Sequence, residues 1–318
     1  MTGSLPEPPA ARPELISVVI VNYNRRDDLR EALRSVRAQD YPNIETIVVD
    51  NASHDGSRGM IAAEFPEVRL IASDQNLGMD GYSVGFRAAL GPYVFQMDND
   101  SELPDPTVLS QVVECFRRGP ERLGVVATRI EEYRRGIDDI EELRGRTSLR
   151  GPFPSGGFHS GGVGFRRSAL DEVGYYNRDV FLYCAEMFVQ MQFLAGGYSI
   201  LYYPEILVLH KFSPVARSER FLYYHVRNRC WFMRLFATPA QRLRFLPPML
   251  LYDLGQAFAK RLPGTYLRAV WEGLGPIPKS LKPLRSTNAD FVAGVNEIGR
   301  IFRPGNLLRR IKRQLAGR

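Results

Sequence analysis

The chain has 318 residues, 44% of them hydrophobic and 24% charged, the balance of a folded domain with a sizeable core. That composition excludes disorder, collagen and coiled coil as descriptions of the whole. Three cysteines, Cys115, Cys184 and Cys230, stand far apart, which excludes a disulfide scaffold and a Cys-based zinc site. No stretch reaches the roughly 20 apolar residues that span a bilayer. The Pro-rich lead at 1–14 lacks the apolar run of a secretory signal, so it is expected to be disordered and the protein cytoplasmic. The net charge of +7 is uneven. Fifteen Lys and Arg against four acids fall beyond residue 240, so a mildly acidic body carries a basic tail.

In chain order, residues 17–22 (SVVIVN) are β-branched and apolar without alternation, as in a strand buried on both faces. Leu29, Ala32, Leu33 and Val36 then mark one helix stripe. Strands are expected at 44–50, 68–73, 93–98 and 124–128, with helices at 57–65 and 80–90. A further helix follows 104–106, with Asp105 as its cap and Pro106 as its first residue. The alternation predicts an α/β fold with a doubly wound, mostly parallel sheet. Residues 129–150 read as a charged surface excursion and 151–164 as a Gly-rich loop. An aromatic strand at 199–203 and a long amphipathic helix near 215–236 follow. Beyond 240, short apolar patches are broken by Pro247-Pro248, and no internal repeat is present.

Three polar clusters fall where strands end: Asn22-Tyr23-Asn24, Asp50-Asn51 and Asp98-Asn99-Asp100. In an open parallel sheet the carboxyl ends share one edge, where ligands bind. Asp and Asn also cap the helix after a strand, but three such clusters converging favour one crevice. Asp98 and Asp100 are two residues apart in a turn. Carboxylates that close repel unless a cation compensates, and hard oxygen ligands suit Mg²⁺ or Mn²⁺, ions that also hold substrate phosphates. The first loop reads N-Y-N-R-R-D, without the glycines of a dinucleotide fold or a Walker A loop. Nicotinamide and P-loop chemistry are therefore disfavoured.

The segments 17–24 (SVVIVNYN), 44–53 (IETIVVDNAS), 76–78 (NLG) and 96–100 (QMDND) together resemble the nucleotide-sugar half of family 2 glycosyltransferases, which have the GT-A fold. The likeness continues through 161–174, 181–197 and 205–210, covering residues 15–240, and RNRCWFMR at 227–234 is similar to the rhamnosyltransferase-like branch. It implies two halves, 15–128 for the donor and 129–240 for the acceptor, followed by a C-terminal extension at 241–318. It also implies an inverting transfer from a nucleoside-diphosphate sugar, a UDP- or dTDP-sugar, to a hydroxyl of a glycan, a glycolipid or a natural product.

Residue by residue, the resemblance puts Asp50 on the donor's base beside Asn22, Tyr23 and Asn24, with Asn76 and Gly78 also at the donor. Asp98 and Asn99 would lie near the ribose. Asp100 would bind the metal on the diphosphate with Asp98, and His210 would supply another ligand. Glu186 would be the base that deprotonates the acceptor. The family usually carries Glu-Asp there, whereas this chain has Ala185-Glu186; the alternative is a helix N-terminal acid favoured by the dipole. The helix after NLG reads M-D-G-Y-S-V-G and Phe188 replaces an acid, two departures that border the expected sugar and acceptor pocket.

Gly157, His159, Gly161 and Gly162 are candidates for a loop against acceptor or phosphate; a flexible turn is the alternative. The basic, apolar stretch 241–318 suits either an anionic membrane surface, the inner leaflet that serves lipid-linked acceptors, or packing on the body. No nucleic-acid module is recognisable. A weakly active nucleotide-sugar-binding scaffold and a nucleotidyltransferase are the competing functions.

Overall fold

The computed structural model describes residues 13–134, 138–211, 219–284 and 289–300. The lead at 1–12, the first residues of the helix expected near 215 and the basic run at 301–313 lie outside them.

The first half is built as expected: β1 (Ile16–Asn22), α1 (Arg26–Arg37), β2 (Ile44–Asn51), α2 (Ser57–Glu64), β3 (Arg69–Ser73), α3 (Asp80–Ala88) and β4 (Tyr93–Asp98). A two-residue strand β5 (Ser101–Glu102) precedes α4 (Val108–Arg118) and β6 (Leu123–Tyr133). Helix α4 starts two residues later than expected, with Thr107 as its cap. Asp105 instead makes the preceding turn, its carboxylate accepting from the Thr107 hydroxyl at 3.1 Å.

The second half contains α5 (Ile140–Gly145), β7 (Phe153–Pro154), β8 (Gly162–Arg166), α6 (Arg167–Val173), α7 (Ala185–Ala195), β9 (Ser199–Lys211) and α8 (Glu219–Phe236). Helices α9 (Pro239–Ala259), α10 (Pro263–Leu274) and α11 (Ala289–Arg300) follow.

The nine-stranded sheet has the order β3-β2-β1-β4-β8-β6-β9-β5, with β7 on β9. β1, β2, β3 and β4 are parallel neighbours, as are β6 and β9, while β8 runs antiparallel to both β4 and β6. The carboxyl ends of β1, β2, β4 and β9 therefore lie on one edge, and so does the amino end of β8. The reversal at β8 carries residues 159–161 to the edge where Asp98 ends β4. Successive residues of β1 enter opposite cores. Val18 and Ile20 pack with α1, α2 and α4, whereas Val19 packs with α3, α7 and α8.

Three expectations are corrected here. Residues 129–133 continue β6 rather than leaving the body, because β9 extends beside them as far as Lys211. The pairing shifts between Thr128 and Arg129, and this irregularity absorbs Pro204, which cannot donate to the ladder. Gly162 and Gly164 belong to a strand, not a loop; a Cβ at either would come within 2.7 Å of Val208 or Val112. Lastly, α9 runs unbroken through Pro247 and Pro248. The carbonyls they leave without donors belong to Leu243 and Arg244, both exposed to water. Thr238 starts that helix with a capping box to Gln241.

Helices α8, α9 and α10 enclose their own core of Val226, Cys230, Met249, Ala257, Tyr266 and Ala269. Leu281, Phe291 and Val295 reach the main core. All three cysteines are free. No helix among the described residues is long and apolar enough to cross a membrane.

Candidate active site

The carboxyl edge brings the three strand-end clusters into one hydrogen-bonded chain. The Asn99 amide donates to Asn22 Oδ1 at 2.9 Å, and the Asn22 amide donates to Asp50 Oδ2 at 3.2 Å and to Ser53 Oγ at 3.1 Å. Asp50 is fully buried. Its burial works against the charge, but donors from Ser53, Arg58 and Asn22 hold its carboxyl below the usual range. Arg58 Nε lies 2.6 Å from Asp50 Oδ1, and its Nη2 donates to the Ser73 carbonyl, so β2 and β3 are pinned by one guanidinium. Tyr23 is exposed at the rim. Asn24 takes a positive φ, with Oδ1 accepting from His54 N–H at 2.8 Å. Asn76 Oδ1 accepts from Gly78 N–H, and the Asn51 amide donates to the Gly78 carbonyl at 3.1 Å.

At the end of β4, Asp98, Asp100 and His210 each turn one ligand atom inward, all within 4.8 Å of one another. His210 Nε2 is 3.3 Å from Asp100 Oδ1 and 3.8 Å from Asp98 Oδ2. Burial opposes protonation of His210, yet Asp100 and Asp98 beside it raise its pKa. Arg25 Nη1 sits 3.1 Å from the other oxygen of Asp100. Two carboxylates and one imidazole suit Mn²⁺ or Mg²⁺. Each offers one ligand atom to the group, so the residues present fit such an ion. Two more buried polar atoms, Asn51 Oδ1 and Ser101 Oγ, have no partner among the described residues.

Asp98 is held in place from two sides. The Tyr82 hydroxyl donates to Asp98 Oδ1 at 2.7 Å, and the Ser160 hydroxyl donates to Asp98 Oδ2 at 3.1 Å. Burial and the neighbouring Asp98 push the Tyr82 phenol well above its ordinary value, which keeps it a neutral donor. Ser160 also lies beside the Glu186 side chain. Glu186 is in the first turn of α7, which enters the body antiparallel to β9 and so begins at this edge. Burial raises the Glu186 carboxyl above the usual range and Asp98 adds to the shift, against the opposing pull of His159 and Ser160.

The glycine loop splits in its placement. His159 accepts from Gly161 N–H through Nδ1 at 3.0 Å, and its ring meets that of His210 edge-on at 5.6 Å. Gly161 lets this turn approach, since a Cβ there would lie 3.2 Å from Ser101 Oγ and 3.3 Å from His210 Cδ2. Gly162 is already in β8, and Gly157 lies against the Gln190 amide. Phe188 does not border the site. It is buried against the rings of Phe232 and Phe236, so its replacement of an acid belongs to core packing. The glycines of M-D-G-Y-S-V-G serve close packing too: a Cβ on Gly85 would lie 2.3 Å from Val19.

Sequence reading missed Arg25, Arg58, Tyr82 and Ser160. Arg25 directly follows the Asn-Tyr-Asn cluster, and Arg58 sits eight positions past Asp50. Those proximities were the available signal; the partners are tertiary.

A mostly parallel sheet with acids and amides converging on its carboxyl edge defines the protein as one of GT-A architecture. A mannosyltransferase from Pyrobaculum calidifontis, solved with GDP-Man and Mn²⁺, superimposes with a TM-score of 0.56 at 19% identity, covering 92% of this chain and 82% of that one. This likeness concerns the fold. Residues 17–174, about half of the chain, match the family described as Glycosyl transferase family 2, and over that stretch the chain belongs to it. Among curated relatives, succinoglycan biosynthesis protein ExoO of Rhizobium meliloti is 35% identical over 101 residues, 31% of this chain and 29% of that protein. The poly-beta-1,6-N-acetyl-D-glucosamine synthase of Staphylococcus epidermidis is 25% identical over 208 residues, 61% of this chain and 49% of that protein. The matches thus span half or less of these relatives' length.

Proposed function

We propose that the protein is an inverting, metal-dependent glycosyltransferase that moves a sugar from a nucleoside diphosphate to an acceptor hydroxyl. The observation that carries this reading is the meeting of Asp98, Asp100, His210 and Glu186 at one sheet edge, beside the Asn22–Asp50–Asn99 chain.

In this reading Asp50 accepts from the donor's base, with Tyr23 at the rim stacking on it, and Asp98 and Asn99 face the ribose. Asp100 and His210, with Asp98, are the residues that hold Mn²⁺ or Mg²⁺. When bound, the ion supplies positive charge to the diphosphate that leaves. Arg25 adds a fixed cation beside the same group. Glu186 takes the proton from the attacking hydroxyl. A carboxyl whose pKa is raised by burial is a stronger base than an ordinary one. The hydroxyl oxygen bonds to the anomeric carbon while the bond to the diphosphate oxygen breaks; one displacement inverts that centre.

UDP- and dTDP-sugars are the expected donors. The acceptor in this reading is a hydroxyl on a growing glycan, on a lipid carrier or on a natural product, reached at the membrane's cytoplasmic face. Two stripes support membrane contact: Leu243, Leu251 and Phe258 on α9, and Leu267 and Trp271 on α10, all exposed. Arg244, Arg261 and Arg268 are exposed on the same segments. Apolar stripes flanked by cations suit an anionic interface.

The test is donor hydrolysis, with water as the acceptor, followed by proton NMR across a panel of UDP- and dTDP-sugars with Mn²⁺. Release of a nucleoside diphosphate together with the sugar of opposite anomeric configuration supports the reading. Retained configuration, or release of inorganic diphosphate, overturns it.

A further inference from the structure

The Arg-Asn-Arg run at 227–229, in the middle of α8, has no part in the chemistry described so far, yet Asn228 is fully buried. What it touches is the segment that leads into α7. Within that segment Phe181, Tyr183 and Cys184 take φ values of 57°, 56° and 60°. This is the left-handed region that residues with a Cβ disfavour. Three such residues in four positions persist only where the surroundings over-determine them.

The compensation is visible. Asn228 Nδ2 lies 2.8 Å from each of the carbonyl oxygens of Val180, Leu182 and Tyr183. The remaining carbonyl, Phe181, accepts from Met79 N–H at 2.7 Å. Every carbonyl from 180 to 183 thus faces a donor from outside the segment, three of them sharing the two N–H donors of one carboxamide. The orientation of that carboxamide is chemically fixed. Its Oδ1 accepts from Arg227 Nε at 3.0 Å and Nη2 at 2.9 Å. A guanidinium can only donate, so the amide's N–H₂ must face the carbonyls. Arg227 is itself held by the Asp179 carbonyl at 2.8 Å and by the face of Trp231, 4.1 Å away.

Glu186 stands two residues beyond the strained segment, in the first turn of the helix that the segment introduces. A flip of Tyr183 or Cys184 to negative φ would redirect that turn. The strand ends that carry Asp50, Asp98 and Asp100 belong to other elements and would stay in place. We infer that Asn228 is a positioning residue: its carboxamide holds residues 180–184 in the strained conformation that aims Glu186 at the Asp98–Ser160 pair. The inference rests on Glu186 being the base proposed above.

The experiment is a double-mutant cycle on donor hydrolysis with Mn²⁺, read as kcat, alongside calorimetric Kd for UDP and dTDP. Asn228→Ala is expected to lower kcat about tenfold or more while Kd changes less than about twofold. In the Glu186→Gln background the same substitution is expected to change kcat less than about twofold, because its route to the chemistry is already cut. Asn228→Ser, which keeps one donor, is expected to fall between wild type and Asn228→Ala. A tenfold loss that persists in the Glu186→Gln background would overturn the inference, as would a wild-type kcat for Asn228→Ala. Loss of the fold in both the Ala and Ser variants would do so too, since the amide would then serve overall stability alone. A wild-type rate for Glu186→Gln itself is the separate outcome that removes the base.

Discussion

Arg229 and Asp253 form a buried ion pair that ties α8 to α9, with side-chain exposures of 4% and 3%. Removing one member of such a pair leaves an uncompensated charge out of water, which costs about 3–5 kcal/mol. For a chain of this size that corresponds to a fall in Tm of about 4–8 °C. The two deletions should differ with pH. Burial already raises the Asp253 carboxyl above its ordinary value, even against the attraction of Arg229. Without Arg229 it rises further, so the lone Asp253 escapes its penalty by taking a proton. A lone Arg229 cannot discharge itself. Arg229→Met should therefore become less destabilising as pH falls toward 5, whereas the deficit of Asp253→Leu stays. Arg229→Met with Asp253→Leu should recover most of the loss, since an apolar pair of similar volume is often neutral or better. Urea and thermal unfolding of the two single variants and the double, at neutral and mildly acidic pH, check this. Single variants within about 1 kcal/mol of wild type, or a double variant as unstable as the worse single, would refute the reasoning.

Other substitutions report on the site and its rim. Gly78→Ala would put a Cβ 2.2 Å from the Phe181 carbonyl oxygen at a φ of 58°. It is expected to lower stability by about 2 kcal/mol or more and to depress kcat; wild-type kinetics would show that this contact is unimportant. Asp50→Asn should weaken nucleotide binding and alter acid stability. The Asp50 carboxyl titrates lower in the folded chain than in the unfolded one. Its stabilisation is thus complete above the unfolded value near 4 and is lost as pH falls through the folded value. The difference in urea midpoint between wild type and Asp50→Asn should accordingly shrink with acid, and a gap that widens would contradict the assignment. Trp271→Ser, 81% exposed on α10, should reduce sedimentation with vesicles rich in anionic lipid and leave donor hydrolysis in solution unchanged. Equal sedimentation of both proteins would argue against that face.

The sheet and its reactive edge were readable because their signals are local. Strands β1, β2 and β4 are buried on both faces over most of their length, so they show as largely apolar runs, and each ends in an acid or amide that must face the shared edge. The second half was harder because glycine and proline, which usually punctuate, here serve packing. Gly162 and Gly164 make room for Val208 and Val112 inside β8, Pro204 falls where β9 loses register with β6, and Pro247-Pro248 sit within α9. Those sequences look like loop and breaks until the neighbours are known. His210 could be linked to the acids only through the family resemblance, because the 109 positions between it and Ser101 close up through a pairing of two short stretches. Ser160, Tyr82 and Arg25 carry no periodic signal at all. Their roles follow from the antiparallel insertion of β8 and from the starts of α1 and α3, where Arg25 is the cap and Tyr82 lies in the first turn, properties of the assembled sheet.

The central claim is that Asp100, with Asp98 and His210, holds a divalent ion that completes the binding site for a nucleoside diphosphate. The most direct measurement is calorimetric titration of the wild-type protein and Asp100→Ala with UDP and with dTDP, each with and without Mn²⁺. Binding of at least one nucleotide that requires Mn²⁺ in the wild type and disappears in Asp100→Ala is the expected result. Nucleotide binding that is indifferent to Mn²⁺, or that survives intact in Asp100→Ala, would contradict the account.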